Sequence, residues 1–331
     1  MPLRRLSRLC DSRSRPMAKL LLVTAVLAVL LASCVSFKHL TQVSDIFPRA
    51  KECGKCHVEI YREWSQSDHA RAYTNPHFQA ATDDHEFEDC ASCHAPEPTL
   101  TDRAPAVRAV GREEGVTCVA CHLSQGSLCG PLEPTGKIHP HPISVRPEVY
   151  RSSDLCGRCH QGTFDEWNAA VGKKETCQQC HMNMVARKIT QPTEGISHLI
   201  VAMEKTSLQR RHDLPILGDY IRGKILTVRG ERNGSVLALQ IANNLPHTLP
   251  TGDYGLRVVD LEVTVMDGQG RRIALERREL APELSTAIRA RDTLTWNIDV
   301  PTDAATAVVS LRRRSYEETD VVTLANVELP L

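Results

Sequence analysis

Ten cysteines and five histidines of this 331-residue chain fall into one arrangement, Cys-x-x-Cys-His, repeated five times. The copies are Cys53, Cys56 and His57; Cys90, Cys93 and His94; Cys118, Cys121 and His122; Cys156, Cys159 and His160; and Cys177, Cys180 and His181. Two thiols at this spacing can add to the two vinyl groups of one porphyrin, and the adjoining imidazole becomes the proximal ligand of its iron. Zinc ribbons also use paired Cys-x-x-Cys, but they have no need of a histidine directly after every pair. A thioredoxin-like dithiol needs one pair, not five. The expected cofactors are therefore five covalent c-type haems.

An iron so held needs a sixth ligand or keeps an open position, and that choice separates an electron carrier from an enzyme. Nine histidines lie outside the motifs: His39, His69, His77, His85, His139, His141, His198, His212 and His247. His69 follows His57 by twelve residues, about 18 Å along one continuous helix. If that helix persists, His69 must serve a haem other than the first. Met182 and Met184 follow the last motif too closely to reach round to its iron and read as packing residues. Cys129 reads as a packed thiol or a loop residue rather than a ligand. His247 is the lone histidine after His212, in a segment bracketed by Asn and Pro from Asn243 to Gly252. Ligation by His247 would clamp the C-terminal region onto the motifs. His77, His85 and His212 compete for the remaining place, and His39 is the weakest candidate.

The segment Cys53-Gly-Lys-Cys-His-Val-Glu-Ile-Tyr-Arg-Glu-Trp-Ser-Gln-Ser-Asp-His69-Ala resembles the opening of the c-554-type multihaem cytochromes. Gly115-Val-Thr-Cys-Val-Ala-Cys-His122 and Thr176-Cys-Gln-Gln-Cys-His-Met182 resemble later motifs of this wider, hydroxylamine-oxidoreductase-related group. The resemblance covers roughly residues 50–200. It implies that His69, one of His139 and His141, and His198 are distal ligands. The His-x-x-Pro-Thr-Gly run at His247 also resembles segments that follow the haem region in some multihaem cytochromes. The chain departs from the four-haem pattern in its fifth motif, its leader and its C-terminal region.

The elements that must hold these residues divide at about Leu214. Residues 48–212 contain 34 Leu, Ile, Val, Met or aromatic residues in 165, against 41 in 118 for residues 214–331. A region so poor in large apolar side chains cannot bury a core of its own. Porphyrins are expected to be that core, so the apo-form of this half should be unfolded or molten, as small metal-dependent domains are without their metal. Short helices and ligand-bearing loops are expected there. His57, Ile60, Tyr61 and Trp64 share one helical face, and His160, Phe164 and Trp167 repeat the pattern. The stretches 96–105 and 131–147 are Pro-rich and read as loop. From residue 223, short runs such as SVLALQIA and TLTWNIDV, separated by Asn233-Gly234 and similar turns, predict about seven strands and an antiparallel β-sandwich. The fold class expected is thus a mostly helical and irregular multihaem domain (48–213) followed by a β-sandwich (214–331).

Leu20–Ala32 is apolar and follows a basic n-region, which fits a secretory signal and is short for a membrane span. Leu31-Ala32-Ser33-Cys34 resembles a lipoprotein box, giving a signal peptide over 1–33, lipidation at Cys34 and a tether over 34–47. An uncleaved anchor is the alternative. Met17 is a second candidate start beside Met1, and with it Cys10 is never made. The whole chain has 40 basic and 40 acidic residues; removal of 1–33 takes away six basic and one acidic, leaving 34 against 39, a net of −5. That balance argues against nucleic acid and suits a basic patch on a redox protein partner or a membrane electron-transfer complex. The expected role is electron transfer on the periplasmic side of the envelope or at the cell surface, from a lipid anchor. The alternative is a multihaem oxidoreductase with one open haem acting on a small nitrogen or sulfur species.

Overall fold

The structure, a computed structural model, describes residues 20–27, 48–134, 141–172, 174–191, 201, 204–252, 257–314 and 321–331. Cys34, His39, His139 and His198, and both candidate starts, lie outside these residues. Residues 20–27 are helical, and no described helix is long and apolar enough to cross a membrane.

The motif half is built from helices of four to nine residues. Val58–Ser65 begins directly after His57, and Gln161–Ala169 directly after His160, so the two aromatic faces expected from the sequence form as helices. The first of these does not continue to His69. It ends at Ser65, and a separate turn, Asp68–Arg71, is capped by the Ser67 hydroxyl, which accepts the Ala70 N–H. A serine that bonds its own backbone competes with helix propagation, and the chain changes direction there.

Short strands that sequence patterning did not reveal add to this half. Strands β1 (Leu123–Ser124), β2 (Ser127–Gly130) and β3 (Ile143–Val145) form one small sheet, with β3 parallel to β2. Strands β4 (Met184–Arg187) and β5 (Ser207–Arg210) form an antiparallel pair. Among the described residues, Val119, Leu123 and Val201 are the aliphatic side chains larger than alanine that are buried here. Buried Arg108 does part of a core's work instead, donating to the carbonyls of Pro96, Val110, Gly111 and Gly115. An interior held by one guanidinium on loop carbonyls is not a hydrophobic core, which is what the low apolar content led us to expect.

The C-terminal half is the opposite case. Strands β6 (Leu226–Asn233), β7 (Val236–Asn243) and β10 (Thr293–Asp299) form one antiparallel sheet in the order β10-β7-β6. Strands β8 (Val258–Asp267), β9 (Arg272–Leu280), β11 (Ala304–Arg314) and β12 (Val321–Pro330) form the other, in the order β12-β11-β8-β9. Leu237, Leu239 and Ile241 from the first sheet share one apolar core with Leu261, Val263 and Val265 from the second. Both strands alternate buried and less buried positions, as the period-two pattern requires of sandwiched sheets. Edge strand β9 packs Ile273, Ala274 and Leu280 on the core, and its charged run over residues 276–279 suits a strand with one unpaired side. Cys180, Leu217 and Ile221 belong to the same apolar core, so it extends under the last motif.

Candidate functional site

Four of the five motif histidines have one ring nitrogen held by a backbone carbonyl. His57 Nδ1 lies 3.0 Å from the Ile189 carbonyl, and His94 Nδ1 lies 2.7 Å from that of Ala72. His122 Nδ1 is 2.7 Å from the Cys129 carbonyl, and His181 Nδ1 is 3.0 Å from that of Pro215. A carbonyl can only accept, so in each of these four rings Nδ1 is the donor, and the lone pair is on Nε2. A metal-binding imidazole is commonly fixed in this way by its second nitrogen. Tyr150 reinforces the third motif: its hydroxyl is 2.8 Å from the Cys121 carbonyl, and its ring stacks on His122. Cys129 thus contributes through its backbone, while its buried thiol packs.

Two of these motifs face a second imidazole. His69 stands opposite His160 with ring centroids 6.1 Å apart, and His212 stands opposite His122 at the same 6.1 Å. That separation is too wide for stacking. It is of the order expected for two imidazoles that share one metal through nitrogen–metal bonds of about 2 Å each. Burial first, and then the neighbouring imidazole, push both His69 and His212 down to about 4. Both rings are therefore neutral near pH 7, as ligation requires. His247 is held below the ordinary histidine range by burial, and His181 is one of the charges acting on it. His247 turns Nδ1 toward the Thr248 carbonyl, 3.0 Å away, and is near enough to His181 to feel its charge.

Other candidates are placed elsewhere. His141 turns Nδ1 toward the Pro142 carbonyl, 3.3 Å away, and His212 takes the position opposite His122. His85 Nε2 lies 2.8 Å from the Tyr73 carbonyl, on whose ring it stacks. The face of His94 is covered by Phe78, stacked 3.9 Å away. The sequence signal that distinguishes His212 is weak: it is a lone histidine in Arg210-Arg211-His212-Asp213, a run that reads as a solvated loop.

The motifs also approach one another through sulfur. The thiols of Cys53 and Cys118 lie near enough to act on each other's ionisation, as do those of Cys93 and Cys159 and of Cys156 and Cys177. Cys121 lies close enough to act electrostatically on Cys156 and Cys159. In a haem-loaded chain these atoms stand for thioether sulfurs at porphyrin edges, so their proximity carries over and their protonation does not. These approaches join the first motif to the third, the third to the fourth, and the fourth to both the second and the fifth. Free, unbridged thiol pairs, oriented imidazoles, facing neutral imidazoles and an interior without a core of its own together fit covalent haem.

Comparison with known proteins agrees with this chemistry. Residues 52–123 match the family described as cytochrome c554 and c-prime. A penta-haem cytochrome c552 from Thermochromatium tepidum is similar in fold, with a TM-score of 0.59 and 20% identity over 88% of this chain and 100% of that one. An oxidised superoxide reductase aligns with 32% of this chain and 86% of its own, at 9% identity and a TM-score of only 0.22. No curated protein matches the chain in sequence.

Proposed function

We propose that this multihaem c-type cytochrome is a five-haem electron carrier, lipid-anchored at Cys34 on the periplasmic side of the bacterial envelope or at the cell surface. It would pass electrons between redox protein partners, or to a membrane electron-transfer complex, with no bond chemistry of its own. The observation that carries the reading is the facing of His69 with His160, repeated by His212 with His122. An iron closed on both sides by histidine exchanges electrons and offers no place for a substrate.

In this reading each Cys-x-x-Cys pair anchors one porphyrin, and the adjoining histidine is its proximal ligand. His69 completes the fourth site, His212 the third and His247 the fifth. His198, a ligand by the resemblance, lies outside the described residues; the described stretch before it ends at Gln191, whose N–H donates to the Cys56 carbonyl, 2.8 Å away. When bound, a bis-histidine c-type haem supplies reversible one-electron transfer at a potential lower than histidine–methionine ligation gives. The protein's part is to hold the imidazoles neutral, keep water out and keep neighbouring sites close enough for electron hopping. The net charge of −5 from residue 34 onward suits a partner with a basic docking face.

A second reading, an oxidoreductase with one open haem, draws on one observation. His85, which shares an aromatic cluster with His94 through Phe78, has its Nε2 on the Tyr73 carbonyl. Electron paramagnetic resonance and optical spectra, with and without carbon monoxide, separate the two. Uniformly low-spin, CO-inert haems support the carrier, and one high-spin, CO-binding haem makes the enzyme the better account. Detergent-phase partitioning tests the anchor; partitioning that survives Cys34→Ala would remove it.

A further inference from the structure

Two motifs are followed by the same local structure. Cys53-Gly-Lys-Cys-His57 and Cys156-Gly-Arg-Cys-His160 each lead into a helix with an aromatic ring four residues after the histidine, a glutamate six after and a tryptophan seven after. Their glycines are equivalent: a Cβ on Gly54 would lie 2.6 Å from Tyr61 Cγ, and one on Gly157 would lie 2.6 Å from Phe164 Cγ. Their tryptophans are equivalent too. Trp64 Nε1–H donates to the Val116 carbonyl at 2.8 Å, and Trp167 Nε1–H to that of Glu175 at 2.7 Å. Each acceptor stands two residues before the next partner motif, at Cys118 or Cys177, whose thiol lies near that of the first cysteine of the pair. The chain therefore contains one two-site module twice, formed by motifs one and three and by motifs four and five.

The glutamates complete the correspondence. Buried Glu63 accepts the His212 backbone N–H at 3.0 Å and a bidentate pair of bonds from Arg187 at 2.7 and 3.0 Å. Glu166 accepts the Thr248 backbone N–H at 2.9 Å and the Thr251 hydroxyl at 2.7 Å. His212 faces His122, and His247, next to Thr248, lies by His181. So in both copies the helix that starts at one proximal histidine carries a carboxylate to the backbone bearing the imidazole that approaches the other.

We propose that Glu63 and Glu166 are positioning residues, each fixing the distal histidine of the partner site in its module. This rests on the reading of His212 and His247 as axial ligands. The carboxylate touches neither iron nor imidazole; it anchors the peptide from which the imidazole projects. A charged acceptor holds a backbone N–H more firmly than a neutral one, which suits a ligand that must not drift during electron transfer. Glu166 does this across the junction between the motif half and the β-sandwich, so the sandwich is the mount of one ligand.

The test uses the haem-loaded full-length protein with Glu166→Ala, Glu166→Gln, Glu166→Asp and His247→Ala. The readout is the rate and extent of CO binding to the reduced protein, which require the distal histidine to leave. His247→Ala must open one low-spin haem; if every haem stays closed, the ligand reading fails and the proposal with it. Given that opening, Glu166→Ala should raise CO binding at that haem roughly tenfold or more, the effect of losing a hydrogen bond to a charged group. Glu166→Gln, whose amide oxygen still accepts, should recover most of the wild-type behaviour. If Glu166→Ala accumulates poorly, Glu166→Asp keeps the charge, withdraws the oxygens by one methylene and should show the same direction. Wild-type CO kinetics in the Ala or Asp variant, beside an open His247→Ala haem, would overturn the positioning role alone.

Discussion

The imidazoles of His69 and His160 face each other with centroids 6.1 Å apart and planes inclined by 36°, although two complete motifs lie between them in the chain. A residue close behind the first motif thus meets the histidine of the fourth, and under the proposed ligation it closes that site. Cross-linking of this kind explains how a half with few large apolar side chains holds its shape. Each iron that takes ligands from two distant segments ties those segments together.

His69→Ala should therefore convert one low-spin haem to high-spin and leave the others unchanged. The signal lost should belong to the fourth motif, which His160→Met would identify by shifting the same component. His141→Ala, whose ring turns to the Pro142 carbonyl, should leave the spectrum as it is. Electron paramagnetic resonance of the oxidised proteins decides; a low-spin spectrum retained in full by His69→Ala would dissolve the pairing.

Arg187 and Glu63 form a buried pair, with side chains 5% and 9% exposed. Attraction in such a pair roughly offsets its desolvation, but removing one partner strands the other. Arg187→Met should destabilise the motif half by about 3–5 kcal/mol, read as a lower denaturant midpoint for loss of the haem visible spectrum. Glu63→Leu with Arg187→Met should be less damaging than the two single changes added together, because the pair is coupled. Additive losses would mean that the two charges stand independently.

Haem removal should affect the two halves unequally. The sandwich has its own aliphatic core, whereas the motif half buries few large apolar side chains among its described residues. A chain with all ten motif cysteines changed to alanine should be cleaved quickly by protease before about residue 214. A fragment covering the sandwich should survive with its β circular dichroism intact. Equal protection of both halves would show that the motif half folds without its cofactors.

How much of this was legible in the sequence depends on how local each determinant is. The five motifs, the two aromatic helical faces and the alternating strands are set by neighbours within a few residues, so they can be read directly. Strand β9 could not be, because its apolar residues, Ile273, Ala274, Leu275 and Leu280, are interrupted by the four charged residues 276–279, a break in the alternation that an edge strand tolerates. His69 was named as a ligand by resemblance, while its meeting with His160 depended on a turn made by the Ser67 hydroxyl. His212 was one competitor among several. Its position opposite His122 is fixed by Glu63 and Arg187, residues far away in sequence whose spacing carries no pattern. Pairings made through the fold leave no periodic trace.

The tight turn between β8 and β9 supplies a pH test that is independent of the haems. Asp267 accepts the backbone N–H groups of Arg271 and Gln269 and the Arg271 guanidinium. These bonds, the Arg271 backbone bond foremost, hold its carboxyl below the ordinary aspartate value of 3.8. A carboxylate with a depressed folded pKa binds fewer protons folded than unfolded around that value. Its stabilisation is present in full above about pH 4 and is lost as pH falls through the lower folded value. Asp267→Asn should thus lower the melting temperature of the sandwich at pH 7, and the gap from wild type should close as the pH approaches 2. Calorimetry of the isolated sandwich, or of its transition in the whole protein, measures the gap. A difference that persists undiminished at pH 2 would assign the effect to the shape of the turn rather than to the charge.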